Sequence, residues 1–107
     1  MKHVYITHPL RGENWRENIE KASRHCRKYV MEDKDILPVS PLHALAFLDP
    51  NTYDPEHGMQ LCLALLEMCD EVWVHGEWEN SEGWQREIKH AWGKDIKVRW
   101  ITDEVSA

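Results

Sequence analysis

The chain has 107 residues, enough for one core and too few for two, so residues 1–107 form a single domain. With 42% hydrophobic and 30% charged residues its composition is globular rather than disordered. A net charge of −6 argues against a nucleic-acid binder that works by blanket phosphate neutralisation.

Residues 3–7 are short, β-branched and aromatic, and predict a first strand that stops at His8-Pro9. That break falls well before a signal-peptide core could form, and no apolar run approaches the roughly 20 residues that span a bilayer. A cytoplasmic protein is the expectation. Trp15, Ile19, Ala22, Cys26 and Val30 recur every three or four residues, which predicts an amphipathic helix over 13–31. Ile36 to Val39 reads as a second strand, and Pro38, which lacks a backbone donor, makes it an edge or terminal strand. One helical turn fits within 42–48. From Glu56 to Cys69 the residues are apolar nearly all round, predicting a deeply buried helix. Glu71 to His75 reads as a third strand. A helix over 82–93 follows, with Trp84, Ile88, Ala91 and Trp92 on its inner side, and Ile96, Val98 and Trp100 alternate in a last strand.

Alternating strands and helices predict an α/β fold, a small Rossmann-like, doubly wound parallel sheet of four to five strands in three αβα layers. Ligands of such sheets sit beyond the carboxyl ends of the strands, where strand order reverses. The segments of interest are therefore Thr7–Asn14, Ser40–His43 and His75–Gly83. Three cysteines without a Cys-x-x-Cys pair read as reduced, buried thiols. Of the six tryptophans, Trp15, Trp92 and Trp100 follow core periodicities and Trp73 lies within a strand. Trp78 and Trp84 bracket the segment after strand three.

Known phosphate and metal signatures are missing: no Gly-x-Gly-x-x-Gly, no Gly-Lys-Ser/Thr loop, no nucleophile elbow and no His-Glu-x-x-His. His75-x-Glu77-x-Glu79 reads as a solvated alternation rather than a metal site. No metal or other cofactor is expected. Chemistry-bearing residues instead follow strand three. Ser81 is a natural helix N-cap. Gly83 and Glu87 share a face, so the carboxylate lies over a position with no side chain. Near the positive end of a helix that carboxylate is favoured in its charged form, as a nucleophile at a sugar carbon requires. The bland alternative is a glutamate placed for the dipole alone. Arg11, leaving strand one, could hold a phosphate or could be an ordinary turn residue. Residues 1–34 carry eight Lys/Arg against five Asp/Glu, which leaves room for one phosphate there or for a solvated helix face.

Several blocks, Val4 to Gly12 with Asn18 and Ala22, Pro38-x-x-Pro41-Leu42-His43, Cys69 to Val74, and Ser81-x-Gly83-x-x-x-Glu87-Ile88-x-x-Ala91, occur in this order over nearly the whole chain. Together they resemble the nucleoside 2-deoxyribosyltransferase-like superfamily, especially its small bacterial and phage members. The resemblance implies an enzyme that cleaves the N-glycosidic bond of a deoxynucleoside or its 5′-monophosphate and passes the sugar to another base or to water. It implies Glu87 as nucleophile and Tyr5 as the residue that positions it. It further implies Ser81 and Arg11 as contacts to a 5′-phosphate, and subunits that complete one another's sites in a homodimer or larger homo-oligomer. Gly83, His8, Pro9, His43, Trp78 and Trp84 join the substrate-binding set. The partner is thus a small nucleoside or nucleotide, with no nucleic-acid polymer and no membrane. One position departs from the pattern: the superfamily's aspartate eight residues before the acid at Asp70 is here Cys62. A thiol cannot serve a leaving base as a carboxyl group does. Either His43, His57 or Glu77 protonates the base, or the domain is a non-catalytic nucleotide-binding module. An interaction protein anchored by Trp78 and Trp84 is the third reading.

Overall fold

Four parallel strands in the order β2-β1-β3-β4 form the centre of the molecule. The computed structural model describes residues 1–7, 15–75 and 82–101, with the side chains of all of these except residues 15 and 82–84. Its elements are β1 (Lys2–Thr7), α1 (Trp15–Glu32), β2 (Ile36–Val39), α2 (Pro41–Ala44), α3 (Pro55–Leu66), β3 (Glu71–His75), α4 (Glu82–Gly93) and β4 (Lys97–Ile101). The register pairs Tyr5 with Val39 on one side and with Val72 on the other, and Val72 in turn with Val98. Pro38 lies in an edge strand, where its missing donor interrupts no ladder.

Because strand side chains alternate, β1 feeds two layers. Tyr5 packs with Leu66, Val72, Val74, Ile88 and Ala91, the layer beneath α3 and α4. Val4 and Ile6 pack with Tyr29 of α1 and Trp73 on the opposite face. The chain leaves β1 through α1 to β2 on one side and returns across β1 to β3 on the other. Strand order therefore reverses between β1 and β3, and the carboxyl ends of those strands flank the crevice such folds use.

Helix ends follow their local chemistry. Asp54 caps α3, its Oδ1 accepting from the Glu56 and His57 N–H groups at 3.0 and 3.5 Å, with Pro55 in the first turn. Beyond α4, Asp95 adopts φ 58°. There the Ile96 N–H donates to Ala91 O at 2.8 Å and the Asp95 N–H to Trp92 O at 3.2 Å, a Schellman closure that sends Ile96 back onto the core.

Four expectations are corrected. Among the described side chains of α1 the buried positions are Ala22 and Tyr29, while Val30 is 47% exposed, since a step of seven residues stays nearer the stripe than one of eight. Trp92 and Trp100 are exposed rather than core-facing. Trp92 is turned about 100° from the buried Ala91, and Trp100 stands on an edge strand. Helix α3 ends at Leu66 and buries only Cys62 and Leu66, because it packs on one side against the sheet and α4. The helical turn after β2 spans Pro41–Ala44, starting one residue earlier than expected. Trp15 lies outside the described side chains.

Candidate active site

The buried stripe of α4 contains a carboxylate. Glu87, Ile88 and Ala91 face the sheet at 5%, 1% and 0% exposure, and beneath Glu87 lies Tyr5, two residues before the end of β1. The Tyr5 hydroxyl donates a hydrogen bond to Glu87 Oε2. From α3 the Cys62 thiol reaches the same hydroxyl. Three elements thus meet in one polar chain, Cys62 to Tyr5 to Glu87, inside an otherwise apolar layer.

The electrostatics reverse one sequence expectation. Burial pushes the Glu87 carboxyl up to about 7, although the Tyr5 hydrogen bond pulls it down. The charged form is therefore disfavoured relative to an ordinary glutamate. A helix dipole contributes roughly 0.3–1 kcal/mol, less than one pKa unit, whereas full burial shifts a carboxyl by up to about 3–5 units. Desolvation wins. Burial likewise pushes Cys62 up to about 12, assisted by the neighbouring Glu87 charge and opposed by the hydrogen bond with Tyr5. Tyr5 itself is raised well above its ordinary value, first by burial and then by the Glu87 charge, so it remains a proton donor.

Of the sequence-derived site residues, Tyr5 and Glu87 come together and Cys62 joins them. His43 is turned elsewhere. Its Nε2 shares a 2.7 Å hydrogen bond with Ser23 of α1, and its Nδ1 shares one of 2.7 Å with Ser40. His57 is exposed and bonds Tyr53 through Nδ1 at 2.5 Å. His8, Pro9, Arg11, Glu77, Trp78, Glu79 and Ser81 lie outside the described residues, as do the side chain of Trp84 and the space over Gly83.

Two polar features escaped the sequence reading. His75 is not solvated: it is 1% exposed, and its Nε2 meets the Tyr29 hydroxyl at 2.6 Å on the α1 face. Thr7 is also 1% exposed, with an Oγ1 that has no hydrogen-bond partner among the described residues. Strand alternation puts Thr7 on the same face as Tyr5, which was the available signal.

The opposite face holds a separate cleft of about 550 Å³, where Arg99 stacks over Trp73 with its guanidinium carbon 4.7 Å from the ring centroid. Glu71 ties two of its lining residues together, accepting from Lys2 Nζ at 2.8 Å and from Trp73 Nε1 at 2.9 Å. Burial alone would raise the Glu71 pKa; these two hydrogen bonds, together with the charges of Lys2 and Lys97, outweigh it and hold the carboxyl below the ordinary value. Among the described residues no three His, Cys, Asp or Glu side chains are grouped to hold a metal ion, and no helix is long and apolar enough to cross a membrane.

Residues 2–101, which include this site, match the family described as a domain of unknown function (DUF7768). The chain belongs to the DUF7768 family. Among solved structures, the DUF7768 fold is similar to that of a conserved protein from Enterococcus faecalis V583, with a TM-score of 0.74 and 21% identity. The alignment covers 96% of this chain and 65% of that one, so this chain spans about two thirds of the other's length. A 2-deoxyribosyltransferase from Bacillus psychrosaccharolyticus, characterised as a biocatalyst for nucleoside synthesis, is similar at TM-score 0.64 and 14% identity. That alignment covers 96% of this chain and 78% of the other. At these identities the likeness is one of fold. No curated protein matches.

Proposed function

We propose that the domain is a nucleoside 2-deoxyribosyltransferase-like enzyme that cleaves the N-glycosidic bond of a deoxynucleoside or its 5′-monophosphate. The observation that carries this reading is the buried Tyr5–Glu87 hydrogen bond beside the β1–β3 crevice. In its ionised form Glu87 attacks C1′ of the sugar. The new C1′–O bond forms as the C1′–N bond breaks, and the bonding pair leaves on the base nitrogen, which takes up a proton. Water or a second base then attacks C1′ and releases Glu87. Tyr5 orients the nucleophile and donates to its charged form, and activity rises with pH as Glu87 ionises near 7.

Ser81, Gly83, Arg11, His8, Pro9, His43, Trp78 and Trp84 belong to this proposal as substrate contacts, with Ser81 and Arg11 at the phosphate end. Of these, His43 has hydrogen bonds that tie it to Ser23 and Ser40 rather than to the Tyr5–Glu87 pair. The substrate is a small molecule rather than a polymer, and the site is completed in a homo-oligomer in the cytoplasm. Self-association is supported by α3, an apolar helix that buries only two of its residues.

The Cys62 thiol favours a second reading, a nucleotide-binding module without turnover. At about 12 its pKa is too high for efficient protonation of a leaving base. Both readings are tested by incubating wild type and Glu87→Gln with a panel of deoxynucleosides and deoxynucleotides and separating released base by chromatography. Release that vanishes in Glu87→Gln supports the enzyme. Equal release from both removes Glu87 from the mechanism. Ligand-dependent thermal stabilisation of both proteins without release supports the binding module.

A further inference from the structure

Polar groups are few in the layer beneath α3 and α4. Tyr5 and Glu87 satisfy one another there, with the Cys62 thiol beside them. Thr7 stands apart. It lies two residues beyond Tyr5 on β1, about 7 Å along the strand, and pairs with Val74, whose side chain belongs to the same layer as Tyr5. Its side chain is 1% exposed, and its Oγ1 has no hydrogen-bond partner among the described residues. Leaving a buried hydroxyl unsatisfied destabilises the fold, and valine would fill the same volume without that cost. An orphaned hydroxyl at the carboxyl end of a central strand, on the nucleophile's side of the sheet, has the chemistry of a group that waits for a ligand.

We propose that Thr7 Oγ1 hydrogen-bonds a hydroxyl of the sugar whose C1′ faces Glu87, and so acts as a specificity-determining residue of that site. The inference rests on the glycosidase reading and adds the part of the substrate that the strand itself recognises. A hydroxyl both donates and accepts, so Thr7 pairs with a sugar hydroxyl in either sense. The adjoining Tyr5 is already committed to Glu87. A site built to hydrogen-bond a substrate hydroxyl discriminates against analogues that lack it, because its own buried group is then left unpaired.

The test compares wild type with Thr7→Val and Thr7→Ser on 2′-deoxyadenosine, 2′,3′-dideoxyadenosine and 2′,5′-dideoxyadenosine. Base release gives kcat/KM, and thermal melting is followed with and without each compound. Thr7→Val is expected to lose about 10-fold in kcat/KM on 2′-deoxyadenosine. That loss should disappear on whichever dideoxy compound lacks the contacted hydroxyl, and Thr7→Ser should retain the preference. Without ligand, Thr7→Val should melt at or above the wild-type temperature, since no protein hydrogen bond is lost. A lower melting temperature would show that the hydroxyl already has a structural partner and would overturn the proposal. Turnover on all three compounds that Thr7→Val leaves unchanged defeats the sugar contact alone. If wild type shows stabilisation without release, the same comparison is read from the melting shifts. Neither release nor stabilisation in wild type defeats the reading of the Glu87 site, and the sugar contact with it.

Discussion

Glu87 brings a titratable carboxyl into an apolar layer, and the direction of its pKa shift makes a stability prediction. Burial raises the folded-state pKa from 4.5 to about 7. Between those values the folded chain holds a proton that the unfolded chain has released, so stability falls as pH rises through this window and stays lowered above it. The full difference corresponds to about 3 kcal/mol. Glu87→Gln is uncharged at every pH and lacks this loss. In urea denaturation its stability relative to wild type should therefore increase between pH 5 and pH 8. A difference that is the same at both values would show that Glu87 is not desolvated in the folded chain. The same residue links stability to the proposed chemistry, because the ionised form that attacks C1′ is the form the fold disfavours.

At the scale of elements, the periodic patterns locate nearly every helix and strand, and their errors share a cause. A stripe in a sequence says which side of a helix is apolar, but not how much of that side another element covers. Val30 and Trp92 each lie one step from a buried neighbour, Tyr29 and Ala91 respectively, and both end up exposed. Helix α3 is apolar nearly all round, yet sheet and α4 cover one side of it. The turn after α4 yields its own prediction. Asp95 occupies the left-handed region at φ 58°, where a Cβ is unfavourable. Asp95→Gly should stabilise the chain by about 0.5–1 kcal/mol in thermal or urea unfolding, while Asp95→Val should destabilise it. Equal stabilities would mean that the left-handed conformation is unstrained for aspartate.

At the scale of the whole molecule, a single four-stranded sheet leaves large apolar side chains on the surface. Phe47 is 78% and Met68 72% exposed, and Leu61, Leu63 and Leu65 of α3 are only half-buried. Scattered exposed apolar residues are ordinary, but large ones such as Phe47 and Met68 resemble the anchors of an interface. Size-exclusion chromatography with light scattering is expected to give a mass at a multiple of 12.7 kDa, and the double variant Phe47→Glu, Met68→Lys is expected to reduce it. A wild-type mass of 12.7 kDa alone would contradict self-association.

The periodic patterns of the sequence account for the α/β architecture, because strand and helix periods are local and punctuated by Pro38, Asp54-Pro55 and the turn at Asp95. Those local patterns determined the order of elements and therefore a parallel sheet. Likeness to a known superfamily pointed to Glu87 and Tyr5. Neither the patterns nor the likeness could show that the carboxyl of α4 and the hydroxyl of β1, 82 residues apart in the chain, are joined by a hydrogen bond in a desolvated layer. The protonation of Glu87, the contact of Cys62 with Tyr5 and the isolation of the Thr7 hydroxyl depend on which surfaces pack together. Dielectric environment and hydrogen-bond satisfaction are properties of that packing, and only the tertiary structure decides them.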